Sequence, residues 1–203
     1  MKMNKWLSGI FFSLLGTGVF AAVGEGGEAV DPPKAQAVTL ELLTQPAHWR
    51  GERILLPPEF APQMSFSGVE ELRFAPGMYD AEAEDFFSYL FVFELESSDR
   101  LTAEKVEQLL LQYYRGLCRT VAQDNDSQCL PEQVILELTP MLGGYQAQLD
   151  WIEPFITGKP QRLYLELSPV ERGERALMYG AASPQQRDGA IWQQLQRYLV
   201  AAK

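Results

Sequence analysis

Residues 145–151 alternate without a break. Tyr145, Ala147, Leu149 and Trp151 fall on one side of an extended chain, and Gln146, Gln148 and Asp150 fall on the other. A period of two with one apolar and one polar set describes a strand that has one dry face and one wet face, as in an antiparallel sheet. Leu163, Leu165 and Leu167 repeat the pattern. Gly143-Gly144, Gly158-Lys159-Pro160 and Arg172-Gly173 supply turn signals between such stretches. They predict four strands over Val134–Leu138, Tyr145–Ile152, Arg162–Ser168 and Arg175–Ala181.

Earlier in the chain, Arg53–Leu56 reads as a short strand stopped by Pro57-Pro58. Residues 66–74 hold another, with Leu72 and Phe74 on one side and the turn Ala75-Pro76-Gly77 after it. Residues 86–93 are almost continuously apolar and suit a central strand covered on both faces. Two segments switch to the helical period. One starts at Thr102, which can cap it, with Leu101 and Val106 placed as a hydrophobic staple. Its apolar face is Val106, Leu109, Leu110, Tyr113, Leu117 and Val121. The other opens at Ser183-Pro184 and carries Ile191, Trp192, Leu195, Tyr198 and Leu199. The expected fold is α+β: a mainly antiparallel sheet of about five to seven strands with two amphipathic helices packed on one face.

The chain begins with Lys2 and Lys5, followed by an uncharged apolar run from Trp6 to Ala22. Gly9, Gly16 and Gly18 break that run, which is shorter and softer than the ~20 apolar residues of a stable span. Small residues close it, so residues 1–22 are expected to be a cleaved signal peptide. Residues 23–37 have few large apolar groups and are expected to form a flexible linker. Residues 38–203 then form a single domain, with no membrane span after cleavage.

Charge narrows the partners. The chain has 17 Lys+Arg and 27 Asp+Glu; losing residues 1–22 removes Lys2 and Lys5 and no acid, which leaves −12. Phosphate backbones repel such a protein, so nucleic acid is excluded as a partner. The two cysteines, Cys118 and Cys129, are expected to pair as a structural disulfide in an oxidising compartment.

Catalytic patterns are few. His48 is the only histidine, which leaves no set of zinc ligands, and no serine stands in a Gly-x-Ser-x-Gly setting. The stretch Asp124–Gln128 resembles the start of a calcium loop, but Cys129 and Ile135 stand where the EF-hand needs Gly and Glu. No cofactor or metal is therefore expected. Four acids, Asp80, Glu82, Glu84 and Asp85, flank the aromatic strand, and paired carboxylates are the tools of glycoside chemistry. Arg73 or Arg115 would hold an anionic group beside them. Trp49, Tyr79, Tyr89, Tyr113, Tyr114, Trp151 and Trp192 are candidates to line an aromatic groove. The candidate ligand-binding set is Arg73, Tyr79, Asp85, Tyr89, Tyr114, Arg115 and Trp151.

Several segments together carry a resemblance. They are Arg73–Tyr79, Phe86–Phe91, Tyr113–Leu117, Pro154–Pro160, and Ser183-Pro184 before Ile191–Leu195. In these the chain resembles an uncharacterised family of exported bacterial proteins, a domain of unknown function. The pattern is one of aromatic and turn residues, so it implies export and transfers no functional residue. The expected protein is periplasmic or secreted, a non-catalytic accessory or binding module whose partner is an envelope protein or glycan. The alternative is a carboxylate-based enzyme acting on an envelope or extracellular substrate, with Glu82, Glu84 and Asp85 as its acids.

Overall fold

The computed structural model describes residues 39–97, 100–125 and 127–202. The expected signal peptide and linker lie outside the described residues, as does Asp126 of the calcium-like stretch.

Seven strands run in chain order: β1 (Arg50–Leu56), β2 (Gly68–Phe74), β3 (Tyr89–Leu95), β4 (Ile135–Met141), β5 (Gly144–Ile152), β6 (Pro160–Arg172) and β7 (Arg175–Ser183). Helix α1 (Ala103–Asn125) falls between β3 and β4, and α2 (Ala190–Ala202) follows β7. The strands form one sheet in the order β1-β2-β3-β7-β6-β5-β4, and every neighbouring pair is antiparallel. The fold is α+β, with two hairpin-connected halves joined where β3 meets β7.

The two helices lie on opposite faces of the sheet, which corrects the expectation that they share one. Val106, Leu109, Leu110, Tyr113, Tyr114 and Leu117 of α1 pack with Phe91, Phe93, Leu149, Leu163, Leu165 and Met178. Ile191, Trp192, Leu195 and Leu199 of α2 pack with Leu90, Val92, Leu177, Tyr179 and Ala181, together with Leu40, Leu43 and Trp49 of the segment before β1. The cause is the parity of β3 and β7. Both are apolar at odd and even positions alike, and a strand that buries both sets needs cover on both sides. Where α2 does not reach, β5 keeps Gln146, Gln148 and Asp150 partly exposed, as the alternation requires.

The N-terminal boundary of α2 is a second correction. Ser183 ends β7 and is fully buried. Its hydroxyl lies 2.8 Å from the hydroxyl of Ser88 and accepts the amide of Gln185 at 3.1 Å. That oxygen is committed to the sheet and to a turn, so the helix starts at Ala190, beyond the Gly189 turn. Thr102 behaves as expected: its hydroxyl accepts the amide of Lys105 at 3.4 Å, and Leu101 and Val106 are both buried. Residues 86–88 form a turn before β3 rather than its first part, and Phe87 has φ 49°, the αL region that ends extended structure. Cys118 and Cys129 are bonded, with Cα atoms 5.5 Å apart, and this ties α1 to the segment that leads into β4.

Candidate functional site

Because successive side chains of a strand point to opposite faces, β2 splits its polar residues. Glu70 joins Leu72 and Phe74 on the α1 side, while Glu71 and Arg73 take the α2 side. This division decides what the candidate residues can do.

Tyr89, Tyr114 and Trp151 come together under α1. The two phenol oxygens are 2.5 Å apart. The Tyr114 and Trp151 rings meet edge to face at 5.5 Å, and Phe87 lies 5.9 Å from Trp151. Trp151 Nε1 donates to Gln161 Oε1 at 3.0 Å. Tyr79 rests against Phe74 at the margin of the same layer, with centroids 6.3 Å apart. These rings are core: Tyr89, Tyr114 and Trp151 are 6, 2 and 4% exposed. Burial raises both phenols, so both stay protonated and share one hydrogen bond. Trp49 and Trp192 belong to the opposite face, so the seven aromatics line no common groove.

The same layer holds two acids that no motif singled out. Glu70 is 1% exposed and Glu52 is 8% exposed. Glu52 pairs with Leu72 and Ile54 with Glu70, so the two acids are diagonal neighbours across β1 and β2. Burial pushes the Glu52 carboxyl up to about 8, against a smaller opposing pull from Arg50. Burial drives Glu70 well above the usual carboxylate range; the Tyr113 hydroxyl bonded to it opposes this, and nearby Glu52 adds to it. Tyr79, buried beside the same charges, is raised to about 12. The signal in the sequence was the pair Glu70-Glu71 inside an apolar strand, where one of two consecutive acids must face the core whichever way the strand sits.

The other candidate residues hold backbone. Arg73 donates Nε to the Leu43 carbonyl at 2.9 Å and Nη1 to the Trp49 carbonyl at 2.8 Å. Burial lowers its pKa. Asp85 accepts the Gly77 amide at 3.0 Å and closes the 77–85 loop. A Cβ at Gly77 would stand 2.0 Å from Asp85 Oδ1, so the close approach depends on glycine there. Arg115 donates Nη2 to the Val134 carbonyl at 3.4 Å. Glu82 and Glu84 are exposed, whereas Asp85 is turned to the Gly77 amide. His48 is exposed. Among the described residues no three His, Cys, Asp or Glu side chains gather as metal ligands.

An open cleft of about 490 Å³ lies at the other end of the sheet. Leu101, Pro140, Met141, Tyr145 and Val170 line it, with Arg100 and Glu171 as its charged members. The Tyr145 hydroxyl donates to the Leu101 carbonyl at 3.2 Å and fixes the segment before α1 against β5. Beside the cleft, the tip of the β4–β5 hairpin presents Leu142, which is 99% exposed, and Met141, 44% exposed. None of the sequence-derived candidates lies here, because the walls are ordinary residues, apolar, glycine and charged alike, brought together from four separate stretches of chain.

Among the described residues no helix is long and apolar enough to cross a membrane. No family model matches the chain, and no curated protein matches it at a significant level.

Proposed function

We propose that the chain is an exported accessory protein that binds, rather than transforms, an envelope partner, and that the cleft at the hairpin end receives an apolar segment of that partner. The observation that carries this reading is the cleft, where Leu101, Met141, Tyr145 and Val170 stand among polar and charged wall residues, with the exposed Leu142 beside it. Its volume falls in the ~300–1,000 Å³ range of ligand sites. Leu142, fully exposed beside that cleft, offers a partner apolar surface to bury. Of the residues that a catalyst would use at the candidate positions, Asp85 and Arg73 are engaged with a backbone amide and backbone carbonyls instead. Export is supported by the Cys118–Cys129 bond, which persists in oxidising compartments, and by the cleavable pattern of residues 1–22. The likeness to exported bacterial proteins points to the same compartment.

The test uses the full chain produced in a bacterial host. The released protein should begin after residue 22 and contain oxidised cysteines by intact mass. A photo-cross-linking residue at position 142 should then give a discrete protein adduct in the envelope, and the same residue at position 82 should give none. Equal adducts at both positions, or turnover of an envelope substrate by the purified protein, would end the binding reading. An intact Met1 would end the export reading.

A further inference from the structure

The fold shows two ways of burying a glutamate. Glu71 and Glu153 are fully buried and fully bonded. Glu71 accepts the amides of Glu41, Leu42 and Leu43 at 2.8–3.0 Å and is paired with Arg53. Glu153 accepts the amides of Phe155, Ile156 and Thr157 and the Thr157 hydroxyl. Glu52 and Glu70 are buried nearly as deeply, yet each leaves Oε2 with no hydrogen-bond partner among the described residues. A carboxylate needs such partners once it leaves water; a neutral carboxyl needs fewer.

The groups around the pair offer little compensation for charge. On β1, Arg50 is an exposed cation that acts on Glu52 from the strand end. The loop after β2 contributes the phenol of Tyr79, and α1 contributes Tyr113, bonded to Glu70, with Tyr114 beyond it. β3 contributes Tyr89, and Glu59 of the 57–67 loop is exposed. The two acids also face one another, so ionising one raises the cost of ionising the other.

The covering elements lie at the margin of the fold, with Arg53 of β1 anchored to Glu71. β1 is an edge strand, bonded to β2 alone. The 57–67 loop continues it and lies on α1: Phe60 meets Tyr113 at 5.0 Å, and Ser65 is clasped by Gln108 and Gln112 at 3.2 Å each. These clasps are a few exposed polar bonds, which open at low cost. Gly68 opens β2 at φ 140°, where a Cβ would stand 2.0 Å from the Glu94 carbonyl oxygen, so the residue that follows the loop must be glycine.

We propose that Glu52 and Glu70 make β1 and residues 57–67 a proton-gated flap, closed on α1 while both carboxyls are neutral and released when they ionise. Release admits water to the pair and exposes Phe60 and Tyr113. The proposal is independent of what the cleft binds.

Hydrogen exchange of the full chain, compared at about pH 6 and about pH 9 after correction for intrinsic rates, tests it. Amides in 50–67 should lose about tenfold protection at the higher pH while those of β5–β7 keep theirs. The double variant Glu52→Gln with Glu70→Gln should keep 50–67 protected at both pH values. A second readout needs no variant: carboxyl carbon resonances of the wild type should include Glu52 titrating at about 8 and Glu70 titrating well above the usual carboxylate range. Unchanged protection in 50–67, opening of the double variant to the same extent, or titration of every glutamate below about pH 6 would each overturn the flap. Should the double variant fail to fold, wild-type protection and the carboxyl titration decide.

Discussion

At Glu71 one buried carboxylate gathers three consecutive backbone amides and the Arg53 guanidinium. It fixes where the chain enters the domain, with Arg73 holding the carbonyls of Leu43 and Trp49 alongside. Removing the carboxylate strands all of these groups, so Glu71→Ala should cost about 3 kcal/mol by urea denaturation. Glu82→Ala, at an exposed position, should change stability by less than about 0.5 kcal/mol in the same assay. Glu52 obeys the opposite logic. Its carboxyl holds a proton up to about 8 in the folded protein, against about 4.3 in an unfolded chain. The folded state therefore binds the proton more tightly. The stability it contributes is complete below about pH 4.3 and is lost as pH rises towards 8, by up to about 1.4 kcal/mol per pH unit. The pH profile of wild type minus Glu52→Gln should show that decline; a flat difference would remove the buried proton from the account. None of these roles was visible in residue type alone. Asp85 and Glu82 look alike in sequence, and a backbone amide 3.0 Å away separates them.

Each element is held by contacts that its own sequence pattern sets up and its neighbours complete. Helix α2 is seated on the sheet by Trp192, fully buried, whose Nε1 donates to the Gln185 carbonyl at 2.8 Å. Arg187, just before the helix, lies between the rings of Tyr164 and Trp192 at 5.2 and 5.1 Å. Its Nη2 reaches the carbonyls of Ala147 and Leu165 at 3.2 and 3.1 Å. Trp192→Ala should cost about 3–5 kcal/mol by thermal or chemical unfolding. Arg187→Lys, which keeps the charge but loses the planar stacking and the forked donors, should still cost about 1 kcal/mol or more. Helix α1 is tied by its disulfide to the approach to β4, with 11 residues of sequence separation. Opening it with Cys118→Ser and Cys129→Ser should cost about 3 kcal/mol in the loop-entropy view, a fall of roughly 6–12 °C in Tm. The starts of the helices show how far local pattern reaches. Thr102 caps α1 through its hydroxyl, whereas Ser183 has the same local credentials and is claimed by Ser88 across the sheet.

At the scale of the whole molecule, the sheet is the organising body, and its two ends differ in character. One end holds the sealed layer of tyrosines and glutamates under α1, and the other holds the open cleft beside Leu142. The sequence by itself determined the strands with clean alternation, the apolar faces of both helices, the cysteine pair and the α+β class, because each depends on periodicity over a few residues or on composition. It also contained the reason for helices on both faces: β3 and β7 are apolar at both parities, a demand that helices on a single face cannot meet. Only the tertiary structure decided which acids meet a backbone amide, which keep one oxygen buried without a partner among the described residues, and which residues wall the cleft. Those outcomes depend on pairings between distant strands, such as Ile54 with Glu70 and Phe93 with Met178. Burial and hydrogen bonding are properties of where segments meet, and a linear pattern carries no record of that meeting.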